Sequence, residues 1–355
     1  MTNLDKRENR NSAEAFELVH ARFLRFFPHL VAELGGDYEP LMMKVGIDPG
    51  RFSDGKGAAT YRQMIHLLEL AAAELRCPDF GMRLAKRHGG GDMFGPLGMV
   101  MKNSKTFGDA LHYVSEHSYA HSLAARVWLK HSAGEKAVFA GHDILLDRVP
   151  NKSQAMEQIL LAGHLAAVEI TGGRARVRRV HFRHQPVSSP RVYRRYFGCE
   201  IRFGQNEDGV VFSDIDLCSS IVDPDSKVYA RAISFIDAKF THHLPPLDAQ
   251  VRGVIMRLLG SPRCRNERIA AEVNLHPKTM QRVLKANGTS FQKIKDEVRR
   301  DLMLYYLTDT QLDFARLSER LGFTEQSVMT RYCNRWFGLS PTKLRSQRRG
   351  LALPR

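Results

Sequence analysis

The carboxy-terminal part of the chain contains an internal repeat with an offset of 48 positions. A helix-turn-helix unit needs apolar residues four apart in its first helix, a turn residue that tolerates a positive φ, and a second helix with an exposed polar face. Asn274 and Gly322 occupy the two turns, and both residue types adopt the left-handed region readily. The repeat therefore predicts two helix-turn-helix units. The repeated positions are Ile269, Val273, Leu275 and Thr279, recurring as Leu317, Leu321, Phe323 and Ser327.

The second helix of each unit is expected over residues 276–285 and 324–332, with an apolar side buried and a polar side outward. Arginine bonds guanine O6 and N7 together, glutamine bonds adenine N6 and N7 together, and threonine contacts the thymine methyl group. We therefore expect both helices to read bases in the major groove of double-stranded DNA. The candidate DNA-binding residues are Lys278, Gln281, Arg282, Lys285, Gln326, Ser327, Thr330 and Arg331.

A long helix is predicted between the two units, over residues 290–307. Its apolar stripe, spaced by three and four, consists of Phe291, Ile294, Val298, Leu302 and Tyr305. At a rise of roughly 1.5 Å per residue this helix is about 27 Å long. With the turns at its ends, it can hold the two recognition helices about 34 Å apart, which is one turn of DNA. One chain would then reach two successive major grooves.

The positive charge is concentrated in the same region. The chain carries a net charge of +15, and residues 251–355 hold 21 Lys and Arg against 9 Asp and Glu, whereas the other 250 residues hold 32 against 29. A basic domain of this kind favours a polyanionic partner. A further run of arginines between 174 and 195 alternates with apolar residues. We interpret it as the exposed face of a half-buried strand, with binding of an acidic ligand as the alternative.

The first two thirds of the chain mix helix and strand patterns, which predicts an α/β or α+β domain. Thr60 and Thr106 are expected to cap helices, Ser189-Pro190 to open one, and long helices are expected over 153–171 and 227–240. Strands are expected over 123–130, 200–203 and 209–212. Residues 241–246 end in two prolines that break the helix, so the interdomain hinge is placed there.

Several other classes are disfavoured. No stretch reaches the roughly 18 apolar residues of a membrane helix, and the opening residues lack the apolar segment of a secretory signal, so a cytoplasmic protein is expected. The five cysteines are widely spaced and form no Cys-x-x-Cys pair, which argues against disulfides and thiolate zinc sites. His117 and His121 lie four apart on one predicted helix, but the Glu of a zinc hydrolase motif is missing. We expect no metal, no cofactor and no catalytic residues.

The carboxy-terminal hundred residues closely resemble the DNA-binding domain of AraC/XylS-type transcription regulators. The resemblance rests on three strings, which are residues 288–292 (GTSFQ), 321–327 (LGFTEQS) and 335–341 (RWFGLSP), with Arg345 after them. It implies a module of seven helices, with base contacts at the positions of Lys278, Gln281, Arg282, Gln326, Thr330 and Arg331. Departures are His276 in place of the usual Ser cap, and Met329, Tyr332 and Cys333 in place of Phe, Ala and Phe.

Residues from about 16 to 218 are similar to the amino-terminal effector domain called arabinose-binding in one AraC subgroup. The matching pieces are residues 46–48, 80–85, 94–98 and 180–186. Together with the proline hinge, the resemblance implies two domains, an effector-sensing and dimerisation domain at 16–222 and a double helix-turn-helix DNA-binding domain at 251–350. A flexible amino terminus is expected at 1–15, and a linker helix with the proline hinge at 223–250. It also implies a small-molecule effector of unknown identity, a homodimer, and activation of transcription through RNA polymerase.

Three function classes fit these observations. The leading one is a sequence-specific transcription regulator. The second is an enzyme fused to a DNA-binding domain, such as an alkyl-transfer repair protein, which would need activated cysteines that this spacing disfavours. The third is an architectural protein that binds DNA without sequence preference. A competition assay separates it, because specific binding exceeds non-specific binding by roughly 10³-fold or more.

Overall fold

The computed structural model describes residues 16–19, 21–50, 59–132, 134–149, 151–240 and 245–349. They divide into two compact units. The first unit takes in the described residues up to Ile144 and from Lys152 to Pro245, and the second takes in residues 145–151 and those from Pro246 onward. The predicted amino-terminal segment 1–15 and residues 241–244 of the predicted hinge lie outside the described residues. Within the described ranges, no helix has both the length and the hydropathy needed to cross a bilayer.

The first unit is an α+β domain, as predicted. Its strands are β1 (Leu18–Val19), β2 (Ala59–Thr60), β3 (Ala125–Ser132), β4 (Ala137–Ile144), β5 (Arg179–His181), β6 (Glu200–Arg202) and β7 (Gly209–Ser213). Its helices are α1 (Phe27–Glu33), α2 (Tyr38–Lys44), α3 (Tyr61–Glu74), α4 (Phe80–His88), α5 (Pro96–Lys102), α6 (Phe107–His117), α7 (Ser153–Ile170), α8 (Pro190–Phe197), α9 (Asp214–Leu217) and α10 (Ser226–Phe240).

Five of these strands form one sheet in the order β3-β4-β7-β5-β6, in which β5 and β6 are parallel and the other neighbours antiparallel. β1 and β2 form a separate antiparallel pair. The strand predicted over 123–130 begins two residues later, at Ala125. Ser122 explains the delay, because its hydroxyl and carbonyl oxygens accept the N–H groups of Ala124 and Ala125 and so form a turn there.

Both predicted threonine caps are confirmed. The Thr60 hydroxyl accepts the Gln63 N–H while the Gln63 side chain accepts the Thr60 N–H, and Thr106 forms the same reciprocal pair with Asp109. Each box satisfies N–H groups that the first helical turn leaves without partners. The starts of α3 and α6 are therefore each fixed by a local pair, a threonine and the residue three positions after it.

Helix α7 lies at the centre of the first unit, with fourteen of its eighteen residues buried. With so few exposed positions, the helix is packed on nearly all sides. Gly81 of α4 makes the crossing possible, because a Cβ atom there would lie 2.1 Å from the backbone oxygen of Gln154. The buried carboxylate of Glu157 accepts the Tyr193 hydroxyl at 2.5 Å and contacts His184 at 3.2 Å. Burial raises the pKa of this carboxyl group.

The arginine run is not the face of one strand as predicted, because only Arg179 lies in a strand, β5, and its last three arginines lie in helix α8. Two arginines of the run are paired with acids from distant parts of the chain. Arg178 forms two hydrogen bonds of 2.7 and 2.8 Å with the buried carboxylate of Asp216, and Arg179 in β5 forms ion pairs with Glu135 and Glu200. Hydrogen bonding to Arg178 and Ser213 holds the pKa of Asp216 below its ordinary value despite its burial. These two arginines therefore connect β5 and the residue before it to other parts of the first unit.

The prediction that His117 and His121 share one helix is wrong. Helix α6 ends at His117, and the chain tightens into a 3₁₀ turn over Ser118–Ala120. The His117 ring stacks on Tyr113 at 3.9 Å, whereas the His121 ring packs on Phe23 at 4.5 Å. Because the two rings have different neighbours, the helical spacing that would let them share a metal is lost.

The second unit is all-helical from Leu247 onward, as the resemblance implied. Its helices pack around one apolar cluster that includes Val251, Ile255, Ile269, Leu317 and Leu321. They are α11 (Leu247–Leu258), α12 (Asn266–Glu272), α13 (Pro277–Ala286), α14 (Phe291–Asp309), α15 (Phe314–Arg320), α16 (Gln326–Phe337) and α17 (Pro341–Arg349).

Candidate nucleic-acid interface

The first helix-turn-helix consists of α12 and α13. Asn274 in the turn has φ 54°, as predicted, and the Leu275 N–H donates to the Ala270 carbonyl to close the turn. His276 caps α13, because its Nδ1 accepts the Lys278 N–H at 3.3 Å. Pro277 fills the first helical position, where no N–H is required. The imidazole thus takes the role that the family gives to a serine, with a longer bond.

The second helix-turn-helix consists of α15 and α16. Asp313 caps α15 by accepting the Arg316 N–H at 2.8 Å, and Gly322 in the turn has φ 66°. Helix α16 begins at Gln326, two residues later than predicted. Glu325 has extended backbone angles, φ −145° and ψ 151°, and its carboxylate accepts the Ser327 hydroxyl. The chain therefore stays extended until Glu325.

Arg299 of the connecting helix α14 holds the second turn. Its Nε donates to the Leu321 carbonyl at 2.9 Å and its Nη2 to the Gly322 carbonyl at 2.5 Å, while its guanidinium lies 4.4 Å from the centre of the Phe323 ring. The side chain is 10% exposed. Carbonyl groups at a helix end need partners, and a guanidinium can supply several donors at once. Sequence reasoning missed this residue, although a basic residue directly after Val298 on the apolar stripe was a visible signal.

The inner sides of both recognition helices are fully packed. Met280 and Leu284 of α13 and Met329 and Cys333 of α16 have no exposed surface. Tyr332 is half-buried, and its ring lies 5.2 Å from Phe323 and 5.0 Å from Trp336. The three residues that depart from the family pattern in α16 are thus accommodated in the core, and the outer side of the helix stays polar.

The outer sides carry the predicted residues. Seven of the eight candidates are exposed, and Thr330 is half-buried with its hydroxyl donated to the Gln326 carbonyl at 3.0 Å. The exposed ones are Lys278, Gln281, Arg282, Lys285, Gln326, Ser327 and Arg331. The structure therefore presents two polar surfaces, one on each second helix.

The cations on these two surfaces differ in their ion pairing from other cations of the carboxy-terminal unit. Among the described residues, Lys278, Arg282, Lys285 and Arg331 form no ion pair, and neither α13 nor α16 contains an acidic residue. Elsewhere in the unit Arg252 pairs with Glu297, Arg268 with Glu272 and Arg316 with Asp313. Unneutralised cations on two exposed helices create a positive field that attracts phosphate.

Two helix-turn-helix units with polar, basic second helices and a common core define a DNA-binding protein of the double helix-turn-helix class. Residues 35–220 match the family described as the arabinose-binding domain of AraC transcription regulators, and residues 269–347 match a helix-turn-helix domain. The chain belongs to the AraC family of helix-turn-helix transcription regulators.

Individual relatives extend over nearly the whole chain. The chain is 30% identical over 335 residues to the HTH-type transcriptional regulator VirS of Mycobacterium tuberculosis, covering 94% of this chain and 98% of the relative. It is 25% identical over 336 residues to the ornithine utilization regulator of Pseudomonas aeruginosa, covering 93% and 96%. The crystal structure of the transcriptional regulator CdpR from Pseudomonas aeruginosa aligns with 87% of this chain and 98% of its own, at 18% identity and a TM-score of 0.42.

The protein is a regulator and not an enzyme, like the relatives and domains that it matches. The cysteines agree with this assignment. Burial raises the pKa of the Cys77 thiol to about 11, and burial likewise raises that of Cys333 to about 11. Nucleophilic cysteines need a lowered pKa, so these two thiols are structural.

Proposed function

We propose that this protein activates transcription by binding specific sequences in double-stranded promoter DNA, with α13 and α16 each in a major groove. The observation that carries the proposal is the set of cations without carboxylate partners on two helices that contain no acid. Lys278 and Lys285 attract phosphates, whereas Gln281, Arg282, Gln326 and Arg331 distinguish bases by paired hydrogen bonds. Ser327 and Thr330 complete the surface of α16.

The amino-terminal domain controls this binding through a small-molecule effector. Family membership and a cavity of about 90 Å³ between the sheet and the helices of the first unit support this step. An effector can shift the equilibrium between two arrangements of a protein only if its affinity for them differs. The DNA affinity of the protein should therefore change with effector concentration, and the effector affinity should change equally with DNA.

Two protein partners belong to the same proposal. Membership of the AraC family supports a homodimer formed through the amino-terminal domain and a contact with RNA polymerase. A dimer would bring four recognition helices to one promoter, which raises affinity by multivalency without new contacts.

A pull-down of genomic DNA fragments with the full chain tests the proposal. We expect enrichment of a small set of fragments that share one motif, and loss of that enrichment in the variant Gln281→Ala/Arg331→Ala. The control is Arg268→Ala, which also removes a positive charge but lies in α12 and pairs with Glu272.

Uniform recovery of all fragments by the wild-type protein would refute the proposal and support an architectural protein instead. Equal loss with the control variant would show that net charge, and not the recognition surface, determines binding. The genes beside the enriched fragments would indicate the regulated process.

A further inference from the structure

One face of the five-stranded sheet and three helices enclose the cavity in the first unit. The register pairs His142 of β4 with Val127 of β3, and Ala140 of β4 with Val210 of β7, so these four side chains share one face. Helices α5, α6 and α7 close the cavity from the other side. The helix residues in its wall include Leu97, Met101, Phe107, Leu111, Ile159 and Gly163.

The wall is apolar apart from three side chains of the described residues that line it, which are Ser118, His121 and His142. The lining contains no Asp, Glu, Lys or Arg among the described residues. An ionised group placed there would lose its hydration without gaining a counter-ion, which is very costly. A sugar would bury several hydroxyls, each costly without a hydrogen bond. The lining therefore selects against both charged molecules and polyols.

His142 gives this cavity its specific chemistry. The residue is 6% exposed, and its Nε2 has no hydrogen-bond partner within the part of the chain that the structure describes. Burial lowers the pKa of His142 to about 4, so the ring is neutral near pH 7. A neutral imidazole nitrogen can donate or accept one hydrogen bond, depending on the tautomer. Buried polar groups are rarely left unpaired, and the residue that carries this one lines the cavity.

The size limits the ligand further. The cavity has a volume of about 90 Å³. An apolar cavity of about 150 Å³ in another protein binds benzene. Because the present cavity is smaller, its occupant is at most the size of a single small ring or a short alkyl chain.

We infer that this cavity is the effector site and that it binds a small, neutral, largely apolar molecule through one hydrogen bond to His142 Nε2. That the ligand acts as an effector rests on the proposed function. The class of ligand rests on the cavity alone. The "arabinose-binding" description of the domain family would suggest a polar ligand, and the wall of this cavity does not fit one.

Gly163 offers a way to close the site without disturbing the fold. It lies within α7 and lines the cavity, and a Cβ atom built there meets nothing within 4 Å. Gly163→Leu should fill the cavity, whereas Gly163→Ala adds one methyl group and is the matched control. Both changes favour the helix, because glycine is the poorest helix former after proline. Gly141 is unsuitable, because a Cβ atom there would lie 2.2 Å from the Trp128 ring.

Calorimetric titration of the full chain with phenol tests the inference. We expect one site per chain with a Kd of about 1 mM or tighter. Gly163→Leu should abolish the binding, and Gly163→Ala should change the Kd by no more than about twofold. His142→Leu should weaken phenol by about fivefold, as expected for one hydrogen bond, while leaving benzene unaffected. Circular dichroism verifies that each variant is folded.

The absence of phenol binding to the folded wild-type chain would overturn the inference, as would saturable binding of L-arabinose or L-ornithine that Gly163→Leu blocks. Equal weakening of phenol and benzene by His142→Leu would remove the hydrogen bond from the account. Binding to selected DNA is measured on the same samples. Phenol that binds as expected but leaves the DNA affinity unchanged would refute effector control and not the class of ligand.

Discussion

The two helix-turn-helix units share one pattern but differ in charge and in support. Among the described residues, the recognition helix α13 carries three cations without carboxylate partners, Lys278, Arg282 and Lys285, whereas α16 carries two, Arg331 and Arg335, beside Gln326 and Ser327. In the second helix-turn-helix, the turn carbonyls of Leu321 and Gly322 accept hydrogen bonds from Arg299. The first helix-turn-helix therefore adds stronger attraction of the DNA backbone to its base-reading residues Gln281 and Arg282, whereas the second reads bases from a more rigidly held helix.

The turns explain part of this difference. Asn274 is exposed and needs no support beyond its own backbone conformation. Gly322 lies against other chain segments, since a Cβ atom there would be 3.1 Å from the backbone N of Gly260. A turn packed this closely fixes the position of the helix that follows it. Duplication of a fold thus leaves room for the two copies to specialise.

The largest effect on stability should come from removal of Arg299, which supports the turn of the second helix-turn-helix. Arg299→Met should lower the free energy of unfolding by about 3 kcal/mol, because the buried carbonyl of Leu321 and the part-buried carbonyl of Gly322 lose charged donors. The measurement is urea unfolding followed by Trp336 fluorescence in a Trp128→Phe background. The control, Arg300→Met, breaks one contact of 3.2 Å with Asp301 and should cost less than about 1 kcal/mol. Equal losses in both variants would contradict a special role of Arg299.

The next largest effect should come from a substitution in α16, and it tests base discrimination by the second helix-turn-helix. Arg331→Ala should cost about 1–3 kcal/mol in binding to the cognate site and relax selectivity at one base pair. Arg331→Lys keeps the charge but cannot form the paired hydrogen bonds, so its selectivity should fall as well. Competition titrations with single-base variants of the site measure both. Full rescue by lysine, or equal weakening on every DNA sequence, would reassign Arg331 to phosphate contact.

A smaller and less selective effect on DNA affinity is expected from substitutions in the first helix-turn-helix. Lys278→Ala and Lys285→Ala should weaken binding to all sequences to a similar degree, because phosphates carry no sequence information. Each change should reduce the slope of log K against log salt by about 0.9. Titrations between low and moderate salt provide the slopes. A change in base preference with an unaltered slope would show that these lysines read bases.

The smallest effect concerns the start of α13. His276→Ser should stabilise the protein by about 0.5 kcal/mol, because a serine hydroxyl caps a helix better than the 3.3 Å imidazole bond. Thermal unfolding of the two chains makes the comparison. A lower melting temperature in the serine variant would show that the imidazole contributes more than a cap.

The features that the sequence predicted correctly depend on neighbouring residues. Thr60 and Thr106 find their partners three positions away, and Asn274 and Gly322 tolerate the turn by their own conformational preference. Errors of two residues at β3 and α16 arose where turn contacts of Ser122 and Glu325 delay the element.

Features that depend on distant contacts were not predicted. The bonds of Arg299 join α14 to a turn more than twenty positions later, and Arg178 finds Asp216 38 positions away. The cavity needs Val127, His142 and Gly163 from three separate elements. No local pattern contains this information, because it arises only when the chain packs.

The spacing of the DNA target tests the central claim most directly. Recognition helices about 34 Å apart span one turn of DNA. We therefore expect a site with two conserved elements centred about 10 base pairs apart. Affinity for this site should be measured before and after insertion of five base pairs between the elements, which turns one element to the opposite side of the duplex. The account predicts that affinity falls toward the non-specific level. Unchanged affinity, or selection of one short uninterrupted element, would contradict recognition by two helices in successive grooves.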